Sequence, residues 1–182
     1  MKRVYLIRHG LPDFPGGKRM CIGITDVPMG QAGREQAAEM AKRLPAVTAV
    51  FSSPLTRAIQ TAEAVGQPVT ILRDLRELDA GQWDGLTFDE IRLRYPALYA
   101  ARGNDPTLPL PGAEDHGSGL ARFAAAMELA AETAPGDCAV VAHGGVIGLF
   151  LEKISGKWRK PGYGEIISMI YKNGTFTLYG GE

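Results

Sequence analysis

The chain has 182 residues, 45% of them apolar, with 20 basic and 20 acidic residues that leave no formal net charge. That length fits one domain, residues 1–182, with a sizeable core, and the charge balance argues against a nucleic-acid binder or a membrane-surface binder held by bulk charge. Cys21 and Cys138 are far apart and form no CxxC pair, which fits a reducing cytoplasm. Residues 4–7 are too short for the apolar region of a signal peptide. The longest apolar stretch, 138–151, is broken by His143-Gly144-Gly145 and reads as no membrane span.

Residues 4–7 form a compact apolar run, read as a strand covered on both faces, that ends in Arg8-His9-Gly10. Open α/β sheets place their ligands at such strand ends. Segment 11–30 is a Gly- and Pro-rich loop able to shape a substrate mouth. Ala37, Met40, Ala41 and Leu44 make a helical apolar stripe, stopped by Pro45. Residues 49–51 are a second strand. Ser53-Pro54 then predicts a helix start, with serine as N-cap and proline at the first helical position, and Arg57 in the first turn. A third strand, 69–72, is also expected to be covered on both faces.

Loop 76–85 carries Glu77 beside Trp83 and Gly85. Thr87 and Glu90 predict a capping box, followed by Phe88, Ile91, Tyr95 and Leu98, with Pro96 placed to kink or split the helix. A second Gly/Pro loop spans 103–119, and 120–133 is an alanine-rich helix. Strand 138–142 ends in His143-Gly144-Gly145, and Val146, Ile147, Phe150, Leu151 and Ile154 stripe the next helix. Runs 166–171 and 175–179 flank Asn173-Gly174 as a hairpin. The pattern is α/β, a mostly parallel sheet with an antiparallel edge. The hairpin's free edge is a candidate homodimer surface; the oligomeric state is not written in the sequence.

Two histidines at strand tips, each followed by glycine, suggest one anion-handling site. A half-buried Arg8 needs an anion, and no carboxylate stands beside it in sequence, so a ligand phosphate is the attractive partner. Arg57 opposes the local helix dipole, which makes sense where both face a shared anion. Gly144 and Gly145 let the backbone approach a ligand. Against these stand bland readings: a satisfied core histidine, a surface arginine, a solvated loop acid for Glu77. His116 reads as incidental. The sequence has no G-x-S-x-G, no H-E-x-x-H and no G-x-x-x-x-G-K-[ST], and its three dispersed histidines give no metal-ligand spacing.

Together these residues resemble the histidine phosphatase superfamily, in the branch of phosphoglycerate mutases and α-ribazole phosphatases. The blocks are Arg8-His9-Gly10, Ser52 to Ala62 with Arg57, Glu77-x-x-x-Gly81-x-Trp83-Asp84-Gly85 and Ala142-His143-Gly144-Gly145, with the loop 21–28. The resemblance spans nearly the whole chain. It implies a phosphoglycerate mutase-like three-layer α/β sandwich, with a mostly parallel central sheet flanked by helices. It also implies a phosphomonoester hydrolase working without metal or cofactor on a small-molecule phosphomonoester, of which α-ribazole phosphate is one candidate.

In that reading His9 is the nucleophile and becomes phosphohistidine. Arg8, Arg57 and His143 hold the phosphate oxygens, the N–H groups at Gly10 and Gly144 add hydrogen bonds, and Glu77 is general acid and then base. The alternatives are a phosphoglycerate mutase and, in another class, a non-catalytic phospho-ligand-binding protein. Against the mutase, Arg92, Arg94 and Arg102 look scattered and form no paired-arginine loop. Three departures from the family pattern stand out. Leu11-Pro12-Asp13-Phe14-Pro15 lacks the usual pocket asparagine. Pro111-Gly112-Ala113-Glu114-Asp115 carries an extra acid near the mouth. No arginine follows near Gly148.

Overall fold

The structure, a computed structural model, describes residues 1–180; the last two residues of the expected domain lie outside the described residues. Six strands form one sheet: β1 (Lys2–Arg8), β2 (Ala49–Ser52), β3 (Val69–Ile71), β4 (Cys138–Ala142), β5 (Ile166–Lys172) and β6 (Thr175–Leu178). Their spatial order is β3-β2-β4-β1-β5-β6. The first four run parallel, while β5 and β6 are antiparallel to their neighbours.

Alternation along β1 sets the layers. Val4 and Leu6 pack with Phe123 and Met127 of α5 (His116–Thr133) and with Ile147 and Phe150 of α6 (Gly144–Ser155). Tyr5 and Ile7 face the other way, against Met40 of α1 (Gln31–Arg43) and Ala58 of α2 (Thr56–Glu63). The sheet therefore lies between two helical layers. Phe123, Phe150 and Phe176 meet edge to face, each such buried ring contributing about 1.5–3 kcal/mol by transfer from water. Asn173 and Gly174, both at positive φ, close the terminal hairpin as a primed turn should. No helix among the described residues is long and apolar enough to cross a membrane.

Three local expectations are corrected. The 69–72 strand is an outer edge strand with Thr70 and Ile71 exposed, because nothing lies beyond β3. Ser53 does not cap α2: the helix begins at Thr56, and Asp26, reaching in from loop 11–30, accepts from the Thr56 N–H and hydroxyl at 2.8 and 2.7 Å. The second loop is shorter than 103–119. α4 (Pro96–Asn104) closes it from one side, and α5 starts at His116, capped by Asp115. Gly117 and Gly119 hid that first turn, since glycine carries the weakest helix signal short of proline. The capping box at Thr87 and the break at Pro96 between α3 (Phe88–Arg94) and α4 stand as read.

Candidate active site

Strand order brings the two histidines together. β1 and β4 are parallel neighbours with Arg8 opposite Ala142, so the residues just past their ends fall side by side. The His9 and His143 rings are 5.1 Å apart. β2 flanks β4 with Ser52 opposite Val141, which sets Ser53 next to His143, its Oγ 2.6 Å from His143 Nε2. Three strand tips thus make one floor.

His9 is buried, and its Nδ1 lies 2.7 Å from the carbonyl oxygen of Gly10. A carbonyl only accepts, so the ring proton sits on Nδ1 and Nε2 carries a lone pair. That Nε2 has no partner among the described residues and opens to the cleft. Burial, then the Arg57 charge, hold the His9 pKa well below its usual 6.5. Burial and Arg57 act the same way on His143. Both rings are neutral at neutral pH.

Arg8 lies over the Tyr163 ring, its Cζ 3.7 Å from the centroid, and donates one bond to the Pro161 carbonyl at 2.6 Å. Arg57, fully buried, donates to the carbonyls of Thr25 and Gly23 at 2.9 and 2.8 Å. That receiving loop is itself pinned: Asp84 accepts from the N–H groups of Gly23, Ile24 and Thr25. Burial lowers the pKa of both arginines from the ordinary value, while Glu77 opposes the fall in each.

Glu77 lies against the start of α6. Its Oε1 accepts from Val146 at 2.8 Å and from Leu78 at 3.0 Å, and its Oε2 from Gly145 at 2.8 Å. A helix N-terminus offers such free N–H groups and a favourable dipole. The acid is thus a fixed member of the site. Arg122 holds the loop beneath it, donating to the carbonyls of Asp74, Arg76 and Glu77 and pairing bidentately with Glu114.

Arg8 Nε, Arg57 Nε and His143 Nδ1 are all buried without a hydrogen-bond partner among the described residues. Three such orphans beside one histidine call for an acceptor from outside the chain, a ligand or ordered water, since an unmade buried bond costs about 1–3 kcal/mol. Gly144 closes the floor; a Cβ there would lie 3.0 Å from Arg8 Nε and 2.8 Å from Lys160 Cε. Gly10 departs from expectation. Its N–H is donated to Thr61 Oγ1 at 3.0 Å and its carbonyl holds His9, so it orients that imidazole and has no donor left for phosphate.

A family model for the histidine phosphatase superfamily (branch 1) matches residues 4–174. The chain belongs to that superfamily. Glucosyl-3-phosphoglycerate phosphatase of Mycolicibacterium vanbaalenii is 37% identical over 113 residues, 58% of this chain and about half, 49%, of that protein. Phosphoglycerate mutase-like protein 4 of Arabidopsis thaliana is 32% identical over 168 residues, 86% of this chain and 73% of that protein. Among solved structures, Bacillus stearothermophilus YhfR superposes with a TM-score of 0.83 at 28% identity, over 98% of this chain and 95% of that one. A mycobacterial glucosyl-3-phosphoglycerate phosphatase in complex with VO3 gives 0.80 at 27%, over 93% of each.

The superfamily blocks led to His9, Arg8, Arg57, His143 and Glu77, and the fold gathers all five. Two of the three departures acquire physical reasons. Asp115 caps α5 and Glu114 is bound by Arg122, so neither is a free acid in the mouth. Gly148 has no side chain because the Trp158 ring fills that space, 2.8 Å from where a Cβ would stand. Ser53 and Thr61, inside the block 52–62, were given no role in the site, and Tyr163 and Arg122 were not singled out. Each acts through contacts made across the fold, Arg122 through several, with no local spacing to mark them. Arg92 and Arg94 pair along α3 with Asp89 and Glu90, but Arg102 turns into the cleft.

Proposed function

We propose that this protein is a phosphomonoester hydrolase acting through a phosphohistidine at His9, without a metal, on a small phosphorylated metabolite. The observation that carries the reading is the tautomer of His9: Nδ1 is held by Gly10 and Nε2 is left as a neutral nucleophile beside three unpartnered donors. Nε2 attacks phosphorus and the bond to the leaving oxygen breaks. Arg8, Arg57 and His143 take the equatorial oxygens; phosphoryl transfer asks chiefly for such alignment and charge. Ser53 donates its hydroxyl proton to His143 Nε2, which leaves the ring proton on Nδ1, aimed at the ligand.

Glu77 gives a proton to the leaving oxygen. Oε2 accepts one backbone bond where Oε1 accepts two, so Oε2 has the lone pair that handles the proton. Water then attacks the phosphohistidine, Glu77 takes its proton, and phosphate and neutral His9 are released. Pure binding would need neither an exposed nucleophilic nitrogen nor a carboxylate beside it. A second reading, phosphoglycerate mutase, draws support from the cations of the cleft wall, Arg19, Arg102 and Lys160.

The test is phosphate release from a panel of phosphomonoesters with EDTA present, comparing wild type with His9→Ala, together with trapping of base-stable, acid-labile phosphoprotein. Release and trapping by wild type alone support the hydrolase. Interconversion of 3- and 2-phosphoglycerate with little free phosphate favours the mutase.

A further inference from the structure

Arg57 and Asp84 grip one turn from opposite sides. Arg57 Nη2 donates to the Gly23 carbonyl at 2.8 Å, and Nη1 to the Thr25 carbonyl at 2.9 Å. Asp84 takes the N–H side. Its Oδ1 accepts from Gly23 and Thr25 at 3.2 and 3.1 Å, and its Oδ2 from Ile24 at 2.7 Å and from Ala80 at 3.4 Å. The peptide group that joins Gly23 to Ile24 therefore stands between the two charges. Its C=O faces the guanidinium and its N–H faces the carboxylate, as the opposed directions of a trans peptide allow. Among the described residues Arg57 bonds no carboxylate directly and Asp84 bonds no cation. The seat is tight: a Cβ on Gly23 would stand 2.6 Å from Asp84 Oδ2.

A peptide group polarised by a cation at one end and an anion at the other makes stronger bonds at both. The turn thus serves as a relay for an ion pair whose members do not touch. Burial lowers the Arg57 pKa, and Glu77, Asp26 and Asp84 oppose the fall in that order. The three acids act differently. Glu77 belongs to the reacting groups, and Asp26 spends its side chain on Thr56 of α2. Asp84 alone holds the acceptors that orient the guanidinium. It also ends the loop 76–85 that carries Glu77, so the phosphate arginine and the acid share one anchor.

We propose that Asp84 is a positioning residue for Arg57: by holding the 23–25 turn from its N–H side, it fixes the direction of the guanidinium and leaves Nε for the phosphoryl group. The proposal rests on the reading of Arg57 as a phosphate-holding residue, but its first test needs no ligand. In nitrogen-15 NMR of the arginine side chains, a guanidinium held by two carbonyls should show separate signals for its two Nη groups. Arg57→Lys identifies them by their loss. Asp84→Asn keeps the shape, but its NH2 meets N–H groups whichever way it lies, and the two signals should merge. Asp26→Asn, which changes the charge near Arg57 without touching the turn's N–H groups, should keep them apart. Calorimetry with inorganic phosphate gives the second readout. Asp84→Asn should weaken binding about tenfold in the Arg57 protein and less than twofold in Arg57→Lys, since lysine has no fork to orient.

Signals that stay apart in Asp84→Asn, or equal weakening in both backgrounds, would overturn the positioning role. Merged signals in the wild type would overturn it whether or not the variants fold. Failure of the wild type to bind phosphate would instead sink the phosphatase reading, and the NMR signals would still decide the role of Asp84.

Discussion

Ser53 Oγ and His143 Nε2 lie 2.6 Å apart, across the tips of two parallel strands. The hydroxyl also accepts from the Leu55 N–H at 3.3 Å, and in the proposed mechanism its own proton goes to the imidazole. In the proposed mechanism that contact leaves His143 Nδ1 as the donor to the ligand. Ser53→Ala should cut kcat/KM about threefold to tenfold, the weight of one neutral hydrogen bond. Ser53→Thr, which keeps the hydroxyl, should recover most of it. Steady-state kinetics of the three proteins check this; equal losses in both variants would mean that the site was disturbed by packing alone.

Glu77→Gln keeps the shape of the side chain at the head of α6 but removes the group proposed to carry the proton. Turnover should fall about 10²- to 10³-fold for poor leaving groups and far less for p-nitrophenolate, which needs no proton. The check is a plot of log kcat/KM against leaving-group pKa. Its slope should steepen in the variant, and parallel lines would remove Glu77 from the acid role.

Burial holds both His9 and His143 well below their usual pKa, with Arg57 the next cause for each. The unfolded chain therefore binds protons that the folded chain refuses once pH drops below about 6.5. The stability these neutral rings contribute is complete above that pH and is lost as pH falls toward the folded values. The loss should approach about 1.4 kcal/mol per pH unit for each ring. Urea unfolding at pH 7.5, 6 and 5 should show the decline, and His143→Gln should make it shallower. Because His9 remains a free base, the acid limb of kcat/KM that belongs to it should also lie under pH 6.5.

How much of this was legible depended on the range of each signal. Runs such as Val4 to Ile7 and Cys138 to Ala142 carry their own burial in their composition, and the sheet follows from them. The two histidines could be paired because each marks the end of such a run. Arg57 was legible by block, though its supposed helix start was not: the cap comes from Asp26, some thirty residues upstream, and a cap supplied through space leaves no local pattern. The same holds for Tyr163 under Arg8 and for Arg102 over Trp83. Both meet their partners only after the chain has closed. Gly10 shows the converse, a residue rightly placed in the site whose donor is consumed by Thr61.

Arg122 shows how far the loop that carries Glu77 depends on a helix behind it. Its side chain is nearly enclosed, 11% exposed, and it spends its donors on Glu114 and on three carbonyls, including that of Glu77. Arg122→Met would leave Glu114 half-buried with only the longer contacts to Arg76, 3.6 Å, and to the Asp79 N–H, 3.4 Å. Breaking such a pair should cost about 3 kcal/mol of stability. Glu114→Gln, which keeps a polar partner for the guanidinium, should cost less. Since the freed loop carries Glu77, the Arg122 variant should also show part of the leaving-group dependence expected of Glu77→Gln, with phosphate affinity retained. Urea midpoints and the leaving-group plot together check it. A stability loss with an unchanged slope would show that Arg122 supports the fold without positioning the acid.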